Sequence, residues 1–226
     1  MFSALIKAFG QLSDPKLRRV IRLGIAGAMA CYVALVALVW FTLTHVSLFE
    51  QGWADTGADV ALGLVALVVP ILFFPALATA IMGAMLDDVA DAVEARHYPQ
   101  LNWPRPQKWP EILLTTLRFL VVMVAVNLLV LPIYVVLLIT GLSIGLFLIV
   151  NGYLLGREYF ELVAFRRLDP KEARLCFRHN LGRLWLAGGV IAFLFSVPLL
   201  NLLAPAIATA FMVHLFQSLR RQTDSL

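Results

Sequence analysis

Polar and apolar positions in this chain are segregated into long blocks. Residues 1–12 place Phe2, Leu5, Ile6, Phe9 and Leu12 at helical spacing, with Ser3, Lys7 and Gln11 off the stripe. That pattern predicts a short amphipathic helix lying in a membrane interface. Four stretches without a formal charge follow, at residues 23–49, 60–86, 119–156 and 184–219. The first two are each 27 residues long, enough at about 1.5 Å per residue to cross a hydrocarbon core of about 30 Å with some tilt. The other two run to 38 and 36 residues and would overshoot the bilayer as single helices, so each is expected to turn back on itself.

The expected organisation is one membrane domain over 1–226, all-α, with two long transmembrane helices and two apolar helical hairpins that penetrate the membrane partway. Its parts are an amphipathic helix at 1–12, a first span at 15–49, a second at 57–96, a first hairpin at 111–167, a short cytoplasmic helix at 170–180 and a second hairpin at 184–219. Asp14 and Pro15 suit the N-cap and first position of the first long helix. Pro70 and Pro75 predict a kink in the second span, and Pro99, Pro104, Pro106 and Pro110 an extended connection with Trp103 and Trp109 as interfacial anchors. The apices are expected at 140–145, which holds Gly141 and Gly145, and at 198–205, between Pro198 and Pro205 with arms of about 14 residues. Turns between full crossings and partial hairpins that open helix ends at mid-membrane both fit these breakers.

Composition agrees with the class. The 226 residues are 61% hydrophobic and 14% charged, against about 45–50% apolar in a soluble domain. The first apolar run begins after Arg22 and exceeds the 7–15 residues or so of a signal-peptide core, so a cleaved leader is not expected. All 18 Lys and Arg residues lie outside 23–95, and the 50–59 turn carries Glu50, Asp55 and Asp59. The positive-inside rule then places the N-terminus in the cytoplasm, and returning hairpins put every basic residue on that face. A net charge of +4 reads as membrane orientation, and nucleic acid is not an expected partner.

Candidate chemistry is sparse. Asp14, Pro15, Lys16, Leu17, Arg18 and Arg19 join a helix start to three cations, a plausible cradle for a small divalent anion. Flanking basic residues also act as topology signals that contact lipid phosphate, so both readings stand. Asp87, Asp88, Asp91 and Glu94 follow the second span, with Asp87, Asp91 and Glu94 on one helical face. They suit a structural or gating role in ion pairs with Arg96 and other arginines. Arg157 and Glu158 suggest a further ion pair, and Asp169 and Pro170 a structural cap. His45, His97, His179 and His214 lack metal-ligand spacing, Cys31 and Cys176 suggest no disulfide framework, and no nucleophile or phosphate-loop motif occurs. No metal, cofactor or catalysis is expected.

These residues resemble the CysZ-type sulfate permeases, within the etoposide-induced membrane-protein superfamily. Pro15 to Arg19 is similar to the family's Pro-Gly-Leu-Arg-Arg, with Lys16 in place of the glycine. Residues 86–94 are similar to its acidic signature, Glu158 and Tyr159 to its Glu-Tyr, and residues 198–203 to its final hairpin. The resemblance implies an oligomeric helical bundle of the cell inner membrane that admits sulfate without ATP for cysteine synthesis. It further implies that Lys16, Leu17, Arg18 and Arg19 bind the sulfate or related anion. Protomers in opposite orientations are reported for the family, whereas the charge distribution here favours one. The alternative is a non-transporting scaffold or lipid-associated protein of the same superfamily, whose basic face binds membrane lipids.

Overall fold

The computed structural model describes residues 1–45, 81–139, 142–197 and 200–223, all helix, turn or loop. The helices are α1 (Phe2–Gly10), α2 (Pro15–His45), α3 (Leu86–His97), α4 (Trp109–Leu138), α5 (Ser143–Ala164), α6 (Pro170–His179), α7 (Leu181–Ser196) and α8 (Leu200–Thr223). The 50–59 turn, the Pro70 and Pro75 kink and most of the second span lie outside the described residues. Pro15–Leu38, Trp109–Leu138 and Leu200–Arg221 are long and apolar enough to cross a membrane. Together with the all-helical fold, they make this an integral membrane protein.

Both long apolar runs fold as hairpins. The first has its arms in α4 and α5, and its ends meet where Arg105 N–H donates to the Arg166 carbonyl at 2.8 Å. Its arms have 30 and 22 residues, or about 45 and 33 Å. The second hairpin corrects the expected apex at 198–205. Helix α8 already begins at Leu200 and passes through Pro205. A proline this near a helix start removes only the bond that the Asn201 carbonyl would accept, so the helix continues. The arms therefore differ, with 16 residues in α7 and 24 in α8, rather than about 14 each. At about 36 Å, α8 has the length of a full crossing.

Helix α8 forms the centre of the bundle, with 83% of its apolar window buried, against 6% for α4. Ile207, Phe211, Met212, Leu215 and Phe216 are enclosed by neighbouring helices. Phe160 of α5 meets Phe216 at 5.9 Å and Phe177 of α6 at 5.5 Å between ring centroids. Since apolar side chains gain little by leaving lipid for a protein interior, close packing must supply much of this cohesion.

The closest packing is a glycine seam between α5 and α7. A Cβ added to Gly188 would lie 1.8 Å from the Gly152 carbonyl oxygen and 2.4 Å from Gly156 N. One added to Gly156 would lie 2.4 Å from the Leu184 carbonyl oxygen. Gly152 and Gly156 are one turn apart, the small-xxx-small arrangement that lets two helix backbones touch. Trp185 Nε1 donates to the Ile149 carbonyl beside them at 2.8 Å, joining the two hairpins by a hydrogen bond as well.

Helix α1 sorts its residues by size. Ala4 and Ala8 are buried and belong to the main core, in contact with α8, whereas Phe2, Ile6 and Phe9 are exposed. Leu5 and Leu12, which the sequence groups with those exposed residues, pack against the core instead.

Candidate functional site

Residues of α2, α3 and the 98–108 connection line an open cavity of about 880 Å³. Lys16 and Arg19 line it from α2, Asp88, Asp91 and Glu94 from α3, and Arg167 from the end of the first hairpin. Tyr98, Asn102 and Trp103 are also part of its wall.

The start of α2 is arranged by Asp14. Its Oδ1 accepts from Lys16 N–H at 2.8 Å, and its carboxylate also takes a backbone hydrogen bond from Leu17. Its Oδ2 accepts from Arg96 Nη1 at 2.8 Å. The Arg96 hydrogen bond, with those backbone donors, holds the Asp14 carboxyl below its ordinary value although burial acts against it. Two of the N–H groups expected to face an anion are thus already satisfied by a side chain.

The four candidate binding residues separate because consecutive helical positions point about 100° apart. Lys16 and Arg19, three apart, share the cavity-facing side. Leu17 is 1% exposed and sits in the core, so it can contribute only its backbone and its packing. Arg18 turns away from the cavity lining, and its Nε donates to the Leu12 carbonyl at 3.1 Å, tying α2 to the preceding turn. Among the described residues, neither Lys16 nor Arg19 has an ion-pair partner.

Among the described residues, the carboxylates pair with Arg166 and Arg167, two of the anticipated arginines, and not with Arg96. Arg96 binds Asp14, while Arg166 reaches Asp87 at 2.9 Å, Glu94 at 3.3 Å and also Asp91. Their spacing of four and three residues puts all three on the face of α3 that looks toward Arg166. Arg167 adds two bonds to Glu94, at 2.5 and 3.2 Å, and one to the Asn102 carbonyl. Burial alone would lower the Arg166 pKa, but Glu94, Asp91 and Asp87 outweigh it and raise the value. Asp88 remains outside these pairs and faces the cavity.

Nearby pairs differ in detail from the sequence reading. Arg157 bonds to Glu161 at 2.8 Å, one turn along α5, rather than to its neighbour Glu158. Asp169 closes a capping box with Glu172 at the start of α6. The role of Arg166 and Arg167 was hidden because both read as topology charges; the adjacent pair just after a long apolar run was the available signal.

A second polar cluster joins residues far apart in sequence. Tyr98 Oη and His214 Nδ1 are 2.9 Å apart, and the His97 ring stands edge-on to His214 at 4.9 Å between centroids. The Arg221 guanidinium lies over the Tyr98 ring, 5.7 Å from its centroid. Burial raises the Tyr98 pKa against the opposing influence of Arg221, so its hydroxyl stays protonated at neutral pH. Two histidines without metal-ligand spacing are thus brought side by side by the approach of α3 to α8.

No curated protein matches the chain. A family match does, under the description sulfate transporter CysZ/etoposide-induced protein 2.4, and it extends over residues 4–205. That stretch carries the basic start of α2, the acidic face of α3 and the whole first hairpin, and the chain belongs to the sulfate transporter CysZ/etoposide-induced protein 2.4 family.

Proposed function

We propose that the protein is a sulfate or related oxyanion permease of the cell inner membrane, multi-pass and with its N-terminus in the cytoplasm. The observation that carries this reading is the pair of cations Lys16 and Arg19, without ion-pair partners among the described residues, lining a cavity of about 880 Å³ at the end of a spanning helix. Taking a dianion out of water requires compensating charge and donors, and these side chains would supply both. Family membership supports transport rather than catalysis.

The binding set is therefore narrower than the sequence proposal. Lys16 and Arg19 would touch the anion, Leu17 would fix the backbone, and Arg18 would position the helix start through Leu12. Asp88, facing the same space, would disfavour anion binding and set a limit on dwell time. The Arg166 clasp of Asp87, Asp91 and Glu94 would hold the opposite wall and shield those carboxylates from the substrate. Assembly as a homo-oligomer would cover the long apolar face of α4, and α1 would rest its exposed Phe2, Ile6 and Phe9 among lipids. Sulfate admitted in this way would supply cysteine synthesis.

Labelled sulfate uptake into proteoliposomes tests the reading. Flux above empty vesicles is expected from the wild type, with a loss of tenfold or more in Lys16→Ala/Arg19→Ala. Folded, reconstituted protein with no flux would favour the scaffold alternative, for which the exposed basic residues remain the supporting feature. Flux untouched by the double substitution would retain transport and remove the site.

A further inference from the structure

A smaller cavity of about 220 Å³ lies between α1, Tyr98 and the basic end of α8, separate from the cavity around Lys16 and Arg19. Its surroundings combine two kinds of observation. Lys7 and Arg221 are exposed at its edge, and among the described residues neither has an ion-pair partner. His214 and Gln217 also line it; they are only 3% and 5% exposed, yet His214 Nε2 and Gln217 Nε2 have no hydrogen-bond partner.

A polar group orphaned at that depth keeps its desolvation cost uncompensated, so two in one cavity point to something that satisfies them. The chemistry of the four groups agrees on its sign. Tyr98 Oη and His214 Nδ1 share a hydrogen bond, and in the tautomer where the hydroxyl donates, Nε2 carries the ring hydrogen and can donate into the cavity. The Gln217 Nε2 group is a donor, and Lys7 and Arg221 are cationic donors. No Asp or Glu is part of the lining. Burial first, and then the positive charges of Arg96 and Lys7, lower the His97 pKa beside it, whereas Asp14 acts in the opposite sense.

We infer that this cavity is a second anion site, built to bind a tetrahedral oxyanion of the phosphate or sulfate type between Lys7, His214, Gln217 and Arg221. Its volume equals the liquid share of roughly seven waters at about 30 Å³ each, room for such an ion together with part of its hydration shell. Organic ligands occupy cavities of about 300–1,000 Å³. The oxyanion is either a free inorganic ion or the phosphate of an anionic lipid headgroup, which the exposed Phe2, Ile6 and Phe9 of α1 would place nearby. This site is independent of the transport reading, because it shares neither Lys16 nor Arg19 with it.

Histidine-selective ¹⁵N NMR of the full chain gives a direct test, with His214→Phe or His97→Gln used only to assign the signals. Lipid-stripped protein in detergent is titrated with inorganic phosphate and with sulfate, and a second sample is placed in nanodiscs with or without phosphatidylglycerol. A saturable His214 shift with the free ions identifies a soluble anion; a shift only with phosphatidylglycerol identifies the headgroup. In either arm Lys7→Gln/Arg221→Gln should weaken the response tenfold or more, while Arg19→Gln leaves it within twofold. No His214 response in either arm, or one unchanged in Lys7→Gln/Arg221→Gln, would overturn the site. Both substituted side chains are at the surface, so the variant is expected to fold, and the wild-type titrations alone can already refute the proposal.

Discussion

Arg96 Nη1 donates to Asp14 Oδ2 at 2.8 Å, linking the end of α3 to the start of α2 across 82 positions of sequence. The same carboxylate caps α2 through Lys16 N–H. Asp14→Asn keeps a good N-cap and removes the charge, so it should cost no more than about 1 kcal/mol, the value of an exposed ion pair. Asp14→Ala loses the cap as well and should cost about 1–2 kcal/mol in total. Thermal unfolding of both variants in one detergent checks the order.

The same residue gives a pH dependence of defined sign. Asp14 has a folded pKa below its ordinary 3.8, so its contribution is fully present above that value. It is lost as pH falls below 3.8 and through the lower folded value. The stability difference between wild type and Asp14→Asn should be constant from pH 7 to about 5 and shrink toward zero in stronger acid. A difference that grows on acidification would contradict the assignment.

The glycine seam predicts a sharp contrast between two similar substitutions. Gly188→Ala puts a methyl group where the Gly152 carbonyl and Gly156 backbone already stand, and the hairpins must separate to accept it. A loss of at least about 2 kcal/mol, or failure to yield monodisperse protein, is expected. Gly145→Ala meets nothing within 4 Å in the first turn of α5 and should be neutral or stabilising by up to about 1 kcal/mol. Size-exclusion profiles and thermal unfolding separate these outcomes.

Removing Arg166 takes the ion pair from Asp87 and Asp91, both mostly exposed, while the buried Glu94 keeps Arg167. Arg166→Met should cost about 1–3 kcal/mol, the scale of charge-assisted hydrogen bonds lost from one side, since Glu94 retains Arg167. Arg166→Lys should recover only part of this loss, since one ammonium cannot reproduce the planar fork that reaches Asp87, Asp91 and Glu94 together. Equal stability of Lys and Arg at this position would refute the shared-fork geometry.

Asp88 should act on the anion rather than on the fold. Among the described residues it makes no ion pair, and it lines the same cavity as Lys16 and Arg19, so Asp88→Asn removes a charge repulsive to an anion without breaking an ion pair. Sulfate affinity in the flux assay should rise two- to tenfold, or about 0.4–1.4 kcal/mol for one screened charge, and the gain should shrink with added salt. Weaker sulfate binding in this variant would reverse the role proposed for Asp88.

The all-helical class and both hairpins were legible because charge-free runs of 38 and 36 residues cannot be single crossings. The exact second turn was not: Pro205 is a breaker by composition but harmless so near the start of α8. At the site, the sequence identifies the basic start of α2 but cannot say which of its adjacent cations turns to the cavity. Helix rotation sends Arg19 there and Arg18 toward Leu12. Partners separated by 72–79 positions, as between Arg166 and the acidic residues of α3, leave no local pattern. The seam left one, the Gly152 and Gly156 pair, but its partner Gly188 becomes evident only when the hairpins meet.

The Arg166 clasp also bears on biogenesis. Asp87, Asp91 and Glu94 are synthesised well before Arg166, and they can join it only when the first hairpin has re-emerged on the side where it entered. A chain whose hairpin stayed extended across the bilayer would leave the arginine and the carboxylates on opposite sides, each without its partner. The clasp therefore closes only in a chain whose first hairpin has returned to the side where it entered.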